Sequence, residues 1–118
     1  MYAPLIHSAT PVRHYDLDCC EATLYADVVA WGPIEYLYVL EVRRADGEPI
    51  MYVASERNKL KEQFEARGMA SGSHFLCYYE GDAHYNCGAS DDWADLHKFE
   101  IRALQLIAER LTRVGPPH

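Results

Sequence analysis

The sequence predicts an α+β domain: an antiparallel sheet of about five strands in the order βββ-α-ββ-α, with a long C-terminal helix packed across it. Three observations predict this. Short runs rich in Val, Tyr, Leu and Thr are punctuated by Gly32-Pro33, Asp46-Gly47 and Gly81-Asp82. Residues 91–113 repeat apolar side chains at three- and four-residue steps, the period of a helix. The 118 residues fit one domain, so helix and strands must share a core.

The elements follow in order. Residues 1–12 contain Pro4 and Pro11, which forbid a continuous helix, and read as an extended N-terminal arm or edge segment. Thr23 to Trp31 is the first strand and Glu35 to Arg44 the second, with a two-residue turn at Gly32-Pro33. That turn would set Asp27 opposite Tyr38 and Tyr25 opposite Leu40. Asp46-Gly47 signals a type I′ hairpin, which places Val42 opposite Met51 and Leu40 opposite Val53 on the strand from Pro49 to Ser55. Ser55 is expected to cap a helix from about Glu56 to Arg67, with Gly68 ending it in a Schellman arrangement. His74 to Glu80 and Ala83 to Cys87 form a hairpin about a type II′ turn at Gly81-Asp82. Ser90 caps the helix of residues 91–113, where Asp91, Asp92 and Asp95 meet the positive end of the dipole. Residues 114–118, with Gly115-Pro116-Pro117, are a short tail.

Both faces of the predicted hairpin are apolar near the strand centres, whereas a sheet with one wet face alternates more cleanly. A cover on each face is therefore expected: the chain's own helices on one, a second subunit on the other.

Composition narrows the function. With 49% hydrophobic and 25% charged residues the chain cannot be wholly disordered. The net charge is −7. Residues 1–42 carry six acids and one base, and residues 68–97 carry five acids with no Lys or Arg. No basic stripe exists for a phosphate backbone, so nucleic acid is excluded as a partner. The acid excess argues equally against an anionic membrane surface. No apolar run is long enough to span a bilayer, and the first residues lack the basic start of a secretory signal. A cytoplasmic location is expected, with Cys19, Cys20, Cys77 and Cys87 as reduced thiols. Nucleotide, nucleophile-elbow and metalloprotease signatures are absent.

Three constellations carry the chemistry that remains. Nine tyrosines stand against three Phe and two Trp. The expected register gathers Tyr25, Asp27, Tyr36 and Tyr38 on one sheet face, as a polar pocket or a subunit contact. His74-x-x-Cys77 and His84-x-x-Cys87 have paired spacing suited to zinc on paper. Strand parity separates them: Cys77 and His84 share one face, His74 and Cys87 the other. No metal or other cofactor is therefore expected. The third constellation is acidic: Glu80, Asp82, Asp91, Asp92 and Asp95 near His84. Each acid has a local reason in a turn, a strand end or the helix dipole.

Small size, acidity and the βββ-α-ββ-α order resemble the secretion chaperones of type III systems, which are dimeric and bind extended client segments. The resemblance lies in element order and charge, and Pro4 and Pro11 occupy the place of that family's N-terminal helix. The expected function is a non-catalytic protein- or ligand-binding module acting as a homodimer, chaperone- or immunity-like, with a partner offering a basic or apolar segment. The alternatives are a small enzyme using the tyrosine/aspartate pocket, and a metal-binding structural module.

Overall fold

The computed structural model describes residues 3–69 and 71–113, with side chains described as far as Leu111. The predicted tail at 114–118 lies outside the described residues. The chain is α+β. Six strands, β1 (Ile6–Asp16), β2 (Cys20–Ala30), β3 (Tyr36–Arg44), β4 (Pro49–Arg57), β5 (His74–Glu80) and β6 (Ala83–Ser90), form one antiparallel sheet in sequence order. Helix α1 (Lys61–Ala66) lies between β4 and β5, and α2 (Leu96–Arg113) closes the chain.

The strand count corrects the expected five to six, and the order to ββββ-α-ββ-α. The additional strand is β1, running through the stretch read as an arm. It is an edge strand, so only one side of its backbone needs partners, and Pro11 opposite Tyr25 is tolerated there with a register shift beside it.

Turn chemistry explains which registers were legible. Gly81 takes φ +59° at the first turn position, and Tyr79 pairs with His84 and Cys77 with Asn86, as expected. The Asp46-Gly47 turn keeps Val42 opposite Met51, but it is not type I′, because Gly47 alone of the pair has positive φ. The Gly47 and Arg44 amides bond to Arg44 and Glu48 carbonyls, a three-residue loop with a bulge. At Gly32-Pro33 the expectation fails. The connection takes five residues, Trp31 to Glu35, and Tyr25 pairs with Val39 rather than Leu40.

The helices also shift. Strand β4 runs on through Glu56 to Arg57, so Ser55 is buried in the sheet, its hydroxyl donating to the Trp93 carbonyl at 2.6 Å, and does not cap α1. Among the described residues no side chain caps α1; ahead of it Asn58 ties the loop, its Oδ1 accepting from the Leu60 amide at 3.0 Å and its Nδ2 donating to the Ser71 hydroxyl and the Gly72 carbonyl. Gly68 ends α1 at φ +76°, with the Met69 amide donating to the Phe64 carbonyl, the expected Schellman closure. Ser90 caps a 3₁₀ turn over Asp91–Ala94, Asp95 turns extended, and its carboxylate accepts from the Lys98 amide to start α2.

Helix α2 buries Phe99, Ala103, Leu106 and Ile107 against Ala22, Leu24, Leu40, Val42, Met51, Val53 and Leu76 of the sheet. Each large side chain buried there contributes about 1.5–3 kcal/mol. Polar ties fix the angle of the helix. Glu100 accepts from Arg13 Nε at 2.8 Å and from the Tyr15 hydroxyl. Arg110 reaches Glu80 and stacks over the Tyr78 ring.

The opposite face carries a second, smaller core: Val39, Tyr52, Ala54, Cys77 and Tyr79, packed by Ala3, Ile6, Val28, Tyr36 and Phe75. None of these described residues belongs to a helix. Past the bulge at Asp27, which has φ +50°, the end of β2 pairs with β1 alone and brings Val28 and Ile6 onto this core. Among the described residues no helix is long and apolar enough to cross a membrane.

Candidate functional site

The helix-free face buries two carboxylates, Glu41 and Glu56, and two adjoining groups of side chains define it. The first is a cleft of about 590 Å³ between the start of β1 and strands β2 to β4, lined by Tyr25, Trp31, Glu41, Arg43 and Tyr52. Alternation along β3 puts Val39, Glu41 and Arg43 on this face. Glu41 is 7% exposed, and Arg43 grips it through Nε at 2.6 Å and a second nitrogen at 3.2 Å, while its remaining nitrogen donates to the Gly47 carbonyl. The fork neutralises the buried carboxylate and fixes it. Burial, then the Glu41 charge, pushes the Tyr52 hydroxyl up to about 12.

The second group surrounds Tyr79. Its ring stacks on the imidazole of His84, centroids 4.5 Å apart and planes 4° apart. Its hydroxyl donates to the carboxylate of Glu56, a buried residue on the last turn of the pleat in β4. The Tyr36 hydroxyl lies near that of Tyr79, and burial raises the pKa of both. The Cys77 thiol, 1% exposed, lies between them: ligand-type atoms of Glu56, Cys77 and His84 are all within 4.8 Å of one another. Burial and then the Glu56 carboxylate push this thiol well above its ordinary 9.0.

The four tyrosine-pocket residues do not come together. The one-residue difference in the β2–β3 register turns Tyr25 to the helix-free face, where it lines the cleft. Asp27 is exposed at the bulge. A register shift between Tyr36 and Tyr38 divides that pair: Tyr36 packs on the helix-free core, while Tyr38 sits under α2, its ring 5.6 Å from Phe99. The His/Cys set divides by parity. Cys77 and His84 meet on the helix-free face. His74 bonds the Ser73 hydroxyl at 2.8 Å, and Cys87 feels Arg102 and Glu109 of α2. All four cysteines are free.

Glu41, Arg43, Tyr52, Glu56 and Tyr79 had no motif to mark them. Charged residues flanked by apolar strand neighbours, as in Val39-Leu40-Glu41-Val42, were the available signal.

No family model matches the chain, and no curated protein or solved structure matches it significantly.

Proposed function

We propose that the protein is a small acidic cytoplasmic binding module without catalysis of its own. It acts as a homodimer joined through the apolar rim of the helix-free face and receives a protein segment of basic or apolar character in the cleft beside that rim, in the manner of a chaperone or an immunity protein. One observation supports this above the others: that face ends in an apolar rim with Leu5 65% and Trp31 64% exposed. The two are joined by the Trp31 amide donating to the Leu5 carbonyl at 2.8 Å, and His7 packs edge-on against the indole. A large aromatic side chain held in place yet left wet is the typical anchor of a protein contact. The cleft beside it offers phenols and an internally neutralised ion pair, which orient a ligand without needing a counter-charge.

Charge adds to the reading. The net −7 and the acid-rich blocks at 1–42 and 68–97 favour encounter with a basic partner. Chemistry on this face is disfavoured for the bare protein, because a thiol pushed up by burial supplies no thiolate nucleophile near neutrality. The enzyme built on Tyr25, Asp27, Tyr36 and Tyr38 loses its motive with their separation.

Sedimentation equilibrium at micromolar concentration tests the proposal. A dimer is expected for the natural chain, and a monomer with unchanged far-ultraviolet circular dichroism for Trp31→Ser. A natural chain that stays monomeric contradicts it.

A further inference from the structure

We propose that Glu56, Cys77 and His84 form a binding site for Zn²⁺, with Tyr79 as the residue that positions two of the three ligands. The site is distinct from the paired His/Cys spacing in the sequence, which the strands split between two faces. It joins β4, β5 and β6 across the helix-free face. Cys77 pairs with Asn86, so His84 is its diagonal neighbour two residues along β6. Ala54 pairs with Cys77, so Glu56 is the diagonal neighbour two residues along β4. Diagonal neighbours on one face lie within reach of long side chains, which is how three strands converge on one point.

The donor set selects the metal. A thiolate sulfur with an imidazole nitrogen and one carboxylate oxygen suits zinc, whereas calcium and magnesium demand oxygen throughout. At ordinary zinc–ligand lengths the donor atoms of a tetrahedron stand about 3.3–3.7 Å apart. The observed atoms are all within 4.8 Å of each other, so closing on an ion requires only small side-chain motions. Three protein ligands leave a fourth position for water or a ligand group.

The surroundings are those of a prepared site. Ligating carboxylates and imidazoles are usually held by outer partners that fix their orientation. Here one side chain does both: the Tyr79 hydroxyl donates to Glu56, and its ring lies flat on His84. On binding, a sulfur–zinc bond forms, the Cys77 S–H bond breaks, and its proton passes to solvent with no change of oxidation state. Nothing in this site depends on whether the protein dimerises.

The test is titration of the metal-free protein with Co²⁺, followed by its displacement with Zn²⁺. The expected result is one Co²⁺ per chain, a thiolate-to-cobalt charge-transfer band, and loss of that band when Zn²⁺ is added. Cys77→Ser should abolish the band. His84→Ala, at an exposed position, should weaken binding at least tenfold while the fold persists, so a Cys77 variant that fails to fold leaves the test intact. Tyr79→Phe should weaken it by about 10–100-fold. His74→Ala and Cys87→Ser should bind like the natural chain. Absence of the band, its persistence unchanged in His84→Ala, or its loss in Cys87→Ser would each overturn the proposal.

Discussion

Tyr79 lies parallel to His84 at 4.5 Å and gives its hydroxyl to Glu56, so one tyrosine on β5 ties β4 to β6 across a sheet face that carries no helix. The contact with His84 depends on the register of the Gly81-Asp82 hairpin, and the contact with Glu56 on the pairing of β4 with β5.

Tyr79→Phe removes the donor and leaves the Glu56 carboxylate, 7% exposed, without that hydrogen bond. A buried acceptor left unpaired costs about 1–3 kcal/mol. Urea unfolding of the metal-free variant should show a loss of this size. A variant as stable as the natural chain would mean that water replaces the hydroxyl.

Phe99→Ala should be the more damaging core change. Phe99 is fully buried between α2 and the sheet, and its ring meets Tyr38. Truncation should cost about 3–5 kcal/mol. Ile101, on the outer side of the same helix and 45% exposed, should tolerate alanine within about 0.5 kcal/mol. Equal effects at the two positions would contradict the assigned helix face.

Gly72→Ala should destabilise through crowding alone. A Cβ at Gly72 would run into the backbone of Ser90, closer than real Cβ atoms come. The Gly72 carbonyl also accepts from Asn58, so the loop cannot swing away freely. A loss of about 1–3 kcal/mol is expected in the same unfolding assay. Gly32→Ala meets no atom, and its cost comes only from φ +94°.

Stability should fall at alkaline pH. Burial, and then the neighbouring Cys19 thiol, pushes the Cys20 thiol from 9.0 up to about 12. Tyr52 moves from 10.0 to about 12. In the unfolded chain these groups lose their protons first, so above their ordinary values the folded state binds more protons and loses stability as pH rises. Their contribution is complete below about pH 9 and is lost as pH rises through about 12. Urea midpoints followed upward from neutrality should hold steady as far as these groups are concerned, then drop. Tyr52→Phe should lessen the drop.

The sequence made legible what local turns dictate. Gly81-Asp82 leaves two residues between strands, so it alone set Tyr79 against His84 and brought Cys77 and His84 to one face. Gly32-Pro33 looks like the same device, but its loop spans Trp31 to Glu35, and the resulting one-residue slip reversed the face of Tyr25. Strand β1 was hidden by its prolines and its mostly exposed side chains, which pair only because an edge was available. The local pattern makes Glu56 the first residue of a helix. It is the penultimate residue of a strand, and its meeting with Cys77 and His84 joins segments far apart in sequence, which no local pattern records.

The most direct measurement of the binding surface is the accessibility of Trp31. In a Trp93→Phe protein it is the remaining tryptophan, so iodide quenching of the fluorescence reports on the rim alone. Quenching should be strong in nanomolar protein and fall as the concentration rises to micromolar, as the second subunit covers the indole. Quenching that stays strong at every concentration would contradict a dimer formed through this rim.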